Sequence, residues 1–498
     1  MRPAWSLLAL ALACGGPPPQ GGARAPAAGP RPNIVVIVVD DWRWDEFGAA
    51  GHPYLETPNI DRLAREGALF RNAFHAVALC SPNRATLLTG QYPSVHGIID
   101  NVARSRASHT LPTFPRVLQQ AGYRTAFLGK WHMGNDPTPR PGFDQWVGLP
   151  GQGRSVDPEL FEEGRLHVVR GYTTDLLTDR AIGFLERGGP GPFLLYLAHK
   201  AVHPDVVQRD DGSLDPNSEL GYIPAPRHAG RYGGAVLPRR GNRIATLGEL
   251  TGQPAIRRAL ATLVGAGADS GDVSRLEPPR TDERTVRQRA EMLLAVDESL
   301  GRILATLAGR GVLDSTVIIL TSDNGFFYDE HGLTSERRLP YEESIRNPLL
   351  VRYPPLVAAG ARPRGLAVSV DLAPTVLELA GAPIAPTIQG RSLVPLLRGE
   401  EAGWRRSLLV EFFTNENPFP HLLDLDYRAV RTERYKYIHW MRFPDEDELY
   451  DLTADSLERA NLARDPRMAG VRAELRAELR SLVLEAMGLA EEPAPPRR

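Results

Sequence analysis

Three features of this 498-residue chain predict an α/β fold: a large, doubly wound, mixed but mostly parallel sheet with flanking helices, followed by a smaller C-terminal α+β subdomain. The first is the run Asn33-Ile34-Val35-Val36-Ile37-Val38-Val39, unbroken by polar residues after Asn33, which fits a strand buried on both faces of a parallel sheet. The second is its recurrence. Tyr123 to Leu128 runs into Gly129-Lys130-Trp131-His132, Phe193 to Leu197 towards His199-Lys200 and His203-Pro204, and Thr316 to Leu320 into Ser322-Asp323-Asn324-Gly325. The third is the helical periodicity between those runs, over Ile60 to Gly67, Phe114 to Ala121 and Asp175 to Glu186, and longest from Val286 through Leu293, Leu300 and Leu307.

Residues 1–13 have the size and apolarity of a signal peptide and are too short to span a bilayer. Leu10-Ala11-Leu12-Ala13-Cys14 resembles a bacterial lipobox, so the leader reads as a lipoprotein type with Cys14 lipidated; plain secretion is the alternative. The expected location is exported, periplasmic or membrane-anchored. Residues 14–32 are mostly Gly, Pro and Ala and read as a flexible tether. The catalytic domain is expected over 33–398, with a Gly-, Arg- and Pro-rich surface excursion at about 230–284 in which only Ile256 to Val264 looks helical. From 399 to 489 the subdomain offers short strands at Ser407 to Phe413, Tyr427 to Thr432 and Arg434 to Trp440, then a helix carrying Val471, Leu475, Leu479 and Leu482. Residues 490–498 read as a disordered tail.

A net charge of −2 gives no global field for nucleic acid, and none is expected as a partner. Only Cys14 and Cys80 are present, so Cys80 is expected unpaired. In open α/β sheets ligands sit beyond the carboxyl ends of the strands, so four strands ending in polar clusters point to one shared site. Asp40, Asp41, Asp323 and Asn324 form an oxygen-only set suited to a hard cation, Ca²⁺ or Mg²⁺. Either pair alone reads equally as a turn; their joint placement at two strand ends favours a metal. Cys80-Ser81-Pro82-Asn83-Arg84 opens a helix, with Pro82 in its first turn, Gly90 as its stop and Arg84 on the face of Cys80. Such an N-terminus is a natural anion site.

The C-x-P-x-R pattern at Cys80, with Ala85-Thr86-Leu87-Leu88-Thr89-Gly90 after it, resembles the signature of type I sulfatases, in the alkaline-phosphatase-like superfamily. So do Thr57-Pro58-Asn59-Ile60-Asp61-Arg62-Leu63, Gly129-Lys130-Trp131-His132 and Glu448-Leu449-Tyr450-Asp451-Leu452, in the family's order. The resemblance implies that a maturation enzyme oxidises Cys80 to formylglycine, whose hydrate attacks sulfur with one hydroxyl and expels sulfate with the other. It assigns Asp40, Asp41, Asp323, Asn324 and residue 80 to Ca²⁺, with Mg²⁺ the other hard ion. It has Arg84 and Lys130 orient the hydrate and bind sulfate, His203 protonate the departing alcohol, and His132 take the proton of the second hydroxyl. Two positions depart from the pattern: Asn83 stands where Ser is usual, and Arg337, in Glu336-Arg337-Arg338-Leu339-Pro340-Tyr341-Glu342-Glu343-Ser344, occupies the place of a sulfate-binding lysine.

Gly151-Gln152-Gly153, Gly171 to Asp175 and His199 to His203 are closest in style to bacterial glycan sulfatases such as N-acetylglucosamine-6-sulfatases. The expected substrate is a sulfated carbohydrate, led by 6-O-sulfated N-acetylglucosamine. Arg337, His331, His421 and Arg428 are candidate substrate contacts. The alternatives are another sulfate monoester such as iduronate 2-sulfate or choline sulfate, a phosphonate or phosphate ester, and a non-catalytic, lipid-anchored binder of sulfated glycans.

Overall fold

The computed structural model describes residues 31–498 except 216–217, 219–220, 245, 265–280, 334–336, 414–423 and 490–498. The leader, Cys14, most of the tether, His421 and the tail therefore lie outside the described residues. The four apolar runs become adjacent strands, in the spatial order Thr316–Ser322, Asn33–Val39, Phe193–His199, Arg124–Lys130. All pair in parallel, with Val39 opposite both His199 and Ser322, so their polar carboxyl ends meet at one edge. Gln145–Leu149 adds a fifth parallel strand. Antiparallel strands complete a nine-stranded sheet: Leu349–Arg352 and Ala68–Phe70 on one side, Glu159–Glu162 and Arg165–Val168 on the other.

The pleat of Asn33–Val39 sorts the two helix layers. Val35, Ile37 and Val39 point into a core with Ile60, Leu63, Leu177, Leu300 and Ile303, carried by helices Pro58–Glu66, Thr173–Arg187 and Glu283–Gly309. Ile34, Val36 and Val38 meet Leu87, Leu88, Leu118 and Val376 from Cys80–Thr89, Phe114–Gln120 and Leu372–Leu379 on the other face. Burial on both sides is why the run carries no polar residue after Asn33, and each of its aliphatics contributes about 1.5–3 kcal/mol. The longest helix starts at its own cap, Asp282, whose carboxylate accepts from Thr285 N at 2.6 Å.

A second sheet, antiparallel, follows in the order Ser407–Phe412, Tyr427–Thr432, Tyr435–Trp440, Glu448–Asp451. Helix Ala469–Met487 covers it through Leu475, Leu479 and Val483. Within the expected surface excursion at 230–284, the described residues 246–264 differ from that expectation. Leu247, Leu250, Ile256 and Leu260 are buried in the core of this second sheet, because helix Pro254–Val264 presents an apolar stripe there. The helix agrees with the sequence reading of Ile256 to Val264, while its burial does not follow from the Gly- and Pro-rich composition around it. Among the described residues, no helix is long and apolar enough to cross a membrane.

Candidate active site

Helix Cys80–Thr89 points its first turn at the carboxyl edge of the parallel strands and ends at Gly90, which adopts φ 69°. Cys80, Arg84, Asp40, Asp41, Lys130, Asp323 and Asn324 are all buried there. Gly129, at φ 116°, lets the Arg124–Lys130 strand close on its neighbour: a side chain would overlap the Ala198 carbonyl. Arg84 binds the cluster together. Its Nε donates to Asp323 Oδ2 at 2.8 Å and its Nη1 to Lys130 O at 2.6 Å, while Nη2 lies 3.6 Å from Asp40 Oδ2. Lys130 Nζ donates to Asp40 Oδ2 and, at 2.6 Å, to Gln152 Oε1. Asp323 Oδ1 accepts from Asp41 N at 3.0 Å, and Asn324 Nδ2 donates to Asp41 Oδ1 at 2.7 Å.

Three buried oxygens in this cluster have no hydrogen-bond partner: Asp40 Oδ1, Asp41 Oδ2 and Asn324 Oδ1. Ligand atoms of Asp40, Asp41, Cys80 and His203 lie within 4.8 Å of one another. Leaving such groups bare costs on the order of 1–3 kcal/mol each, more for a charge, so the donor set fits a divalent cation with oxygen ligands. Burial drives Asp40 up, but Lys130, His203 and Arg84 outweigh it and hold it well below the usual carboxylate range. Burial, then the Asp40 charge, pushes Asp323 up to about 7. Burial also pushes the Cys80 thiol up to about 12, so no thiolate is available there at neutral pH.

His203 Nδ1 donates to Pro204 O at 2.8 Å, which leaves Nε2 to accept from Arg337 Nη2 at 3.0 Å; the same Nε2 lies 3.9 Å from Asp41 Oδ2. Arg337 Nε is 3.3 Å from Asp41 Oδ1, so the arginine in the lysine's place reaches the cluster. Burial and then Lys130 lower both His203 and His132 well below the ordinary imidazole value. Asn83, the other departure, is buried and structural. Its Nδ2 donates to Asp323 O at 2.6 Å and its Oδ1 accepts from Ser369 Oγ at 2.6 Å, tying the helix to the carboxyl end of the Thr316–Ser322 strand.

Two other candidates lie in separate surroundings. His331 is buried against Tyr341, with ring centroids 4.1 Å apart, and its Nε2 lies 3.1 Å from Asn242 Nδ2 and 3.6 Å from Glu343 Oε2. Arg428 is buried near Glu411, at 3.8 Å. Neither shares a hydrogen bond or ion pair with the Asp40 cluster among the described residues. Reading the sequence missed the roles of Gln152 and Gln208, whose amides link Lys130 to His132; a neutral side chain in a loop gives no periodic or charge signal.

The sulfatase family model matches residues 32–382. The chain belongs to the sulfatase family. It is a sulfuric ester hydrolase, and membership implies a formylglycine and a divalent cation. A second model, the C-terminal region of N-sulphoglucosamine sulphohydrolase, matches residues 329–485. Among similar proteins, N-acetylglucosamine-6-O-sulfatase of Bacteroides thetaiotaomicron is 34% identical over 485 residues, covering 87% of this chain and 82% of its own. The multifunctional alkaline phosphatase superfamily protein PehA of Trinickia caryophylli is 29% identical, covering 89% of this chain and 93% of its own. A structure solved in complex with its substrate D-glucosamine-2-N,6-O-disulfate superposes with a TM-score of 0.78 at 31% identity, covering 92% of this sulfatase and 98% of that chain.

Proposed function

We propose that this sulfatase releases inorganic sulfate from a sulfated carbohydrate, with a 6-O-sulfated N-acetylglucosamine unit as the lead substrate. The observation that carries the reading is the set of bare buried oxygens on Asp40, Asp41 and Asn324 beside Cys80 at the head of its helix. The names of two similar proteins, one an N-acetylglucosamine-6-O-sulfatase and one bound to a glucosamine disulfate, support the choice of sugar. Asp40, Asp41, Asp323 and Asn324 hold the ion, with residue 80 beside them, and the all-oxygen protein set selects Ca²⁺ over softer metals. A formylglycine matured from Cys80 would supply the nucleophile as its hydrate, and a divalent cation bound there would supply the charge that favours its ionised form.

The chain's own residues do the rest. Arg84, Lys130 and Arg337 place fixed positive charge around the sulfate, and their geometry is pre-set by Asp323, Gln152 and Asp41. His203 delivers a proton to the departing alkoxide; an anionic ester beside it opposes the burial that lowers its pKa. His132 takes the proton whose loss expels sulfate. Residues 33–398 form the catalytic domain and 399–489 a subdomain beside it, and the protein is exported with Cys14 lipidated.

The test is release of sulfate and of phosphate across sulfated sugars, choline sulfate and phosphate and phosphonate esters, using protein from a host competent for maturation, with Cys80→Ala beside wild type. Sulfate released from 6-O-sulfo-N-acetylglucosamine and lost in the variant is the expected result. Turnover confined to phosphorus esters, or turnover that survives Cys80→Ala, would overturn the reading.

A further inference from the structure

We propose that Gln208, oriented by Gln152, is a positioning residue that holds His132 with its proton on Nε2 and so makes Nδ1 the proton-accepting atom. The proposal rests on the reading of His132 as the base. Its argument is donor and acceptor arithmetic, starting at Lys130. An ammonium only donates, so the Gln152 atom 2.6 Å from Lys130 Nζ is the amide oxygen. The other end of that amide is therefore a donor, and it lies 2.8 Å from the Gln208 Oε1 position.

Gln208 is fixed independently from its own far end, where Nε2 donates at 2.7 Å to the Gly212 carbonyl, an atom that only accepts. Both constraints make the remaining atom an oxygen. That oxygen lies 2.8 Å from His132 Nε2 and cannot donate, so the ring nitrogen must carry the hydrogen. On the opposite edge, His132 Nδ1 is 3.5 Å from Ser81 Oγ, whose hydroxyl is already donated to the His132 carbonyl. The Nδ1 lone pair thus faces the turn that carries residue 80.

Gln152, Gln208 and His132 are all more than nine-tenths buried, so reversing any amide leaves an uncompensated polar atom, at about 1–3 kcal/mol each. The charged groups around the imidazole are Lys130, Asp40 and Arg84. A neutral amide is suited to this place. It fixes the tautomer at every working pH and favours the imidazolium less than would a carboxylate, which would hold the proton that the base must later give back.

The test uses ¹⁵N-histidine NMR of the full-length enzyme, with the His132 signal assigned by its loss in His132→Ala, and the pH profile of kcat. Wild type should show the Nε2–H tautomer. Gln208→Leu should lose it and lower kcat by about 10- to 100-fold with KM nearly unchanged. Gln208→Glu should keep it, because a carboxylate still accepts, but should move the acid limb of the kcat profile about one unit or more to higher pH. An Nδ1–H signal in wild type, or a Gln208→Glu profile that stays in place, would overturn the proposal. Undiminished kcat in His132→Ala, with the Nε2–H signal intact in wild type, would instead overturn the base assignment beneath it.

Discussion

Of the buried clusters of charge among the described residues, the one at the strand ends and the one under the second sheet are built differently. At the strand ends, Asp40, Asp41 and Asn324 each leave an oxygen without a hydrogen-bond partner. Under the second sheet, Glu342, Glu343 and Glu458 meet Lys436, Arg431 and His331. Lys436 Nζ lies 2.9 Å from Glu342 Oε1 and 2.6 Å from Glu458 Oε1, and Arg431 Nη2 3.2 Å from Glu342 Oε2. Glu343 Oε2 has His331 Nε2 at 3.6 Å, and His331 is raised above its ordinary value by Glu343 against the pull of burial. Both clusters could be drawn as metal sites from their residue types. Glu343 Oε2 and Glu458 Oε1 also lack a hydrogen bond, but each lies against a basic side chain of its own cluster, His331 at 3.6 Å and Lys436 at 2.6 Å, which joins 331–343 to 431–458. The unpartnered oxygens of Asp40 and Asp41 lie instead beside Cys80. Lys130, Arg84 and Arg337 balance charge at the strand ends as well, so what marks that cluster for a ligand is its unpartnered oxygens beside residue 80 and not an excess of charge.

The largest effect should come from the strand-end cluster. Cys80→Ala is expected to abolish sulfate release while costing roughly 1 kcal/mol of stability, since only one buried atom is removed; sulfate assay and urea denaturation together check this. The second-sheet cluster should answer in the opposite way. Lys436→Met leaves Glu342 and Glu458 buried without their shared cation and should cost about 3–5 kcal/mol in urea denaturation, with Ca²⁺ affinity unchanged. An equal loss of Ca²⁺ affinity would erase the distinction between the two clusters.

Chelation sharpens the same contrast. Removing the divalent ion should abolish activity and lower stability by about 2.7 kcal/mol relative to protein with free ion at 100 times its Kd, and readdition should restore both. The smallest effect concerns pH. Burial pushes Glu448 up to about 7, against the hydrogen bonds of Tyr450, Tyr341 and Trp440, from an ordinary 4.5. Between those values the folded protein keeps a proton that the unfolded chain has released. Its contribution is therefore fully present below about 4.5 and lost as pH rises through 7, by roughly 3 kcal/mol. Urea denaturation at pH 5 and pH 8 should show this loss in wild type and a smaller one in Glu448→Gln.

Much of the strand-end cluster was legible in the sequence because its residues sit where local patterns end. A β-branched run announces a central strand, and the polar residues after it fall at the sheet's carboxyl edge; Asp40, Lys130 and Asp323 were found that way. The Cys80 helix was legible from Pro82 and Gly90, one pre-set for the first turn and the other for the left-handed stop. The second-sheet cluster was not legible as a unit. Glu342 and Lys436 are separated by 94 residues and meet only through packing of the second sheet. His331 illustrates the limit: a histidine after the Thr316–Ser322 strand suggests a substrate contact, yet the structure buries it against Tyr341 and Glu343. The helix from Ile256 is legible but not its burial, because the Gly and Pro around it and around Leu247 read as surface; the two glutamines are hidden by their neutrality.

Ca²⁺ stoichiometry of the full-length protein, by calorimetric titration after chelation, tests the central claim most directly. The account predicts one ion per chain, with binding lost in Asp41→Ala and kept in Glu343→Gln. Two ions per chain, or binding that survives Asp41→Ala and disappears in Glu343→Gln, would contradict it.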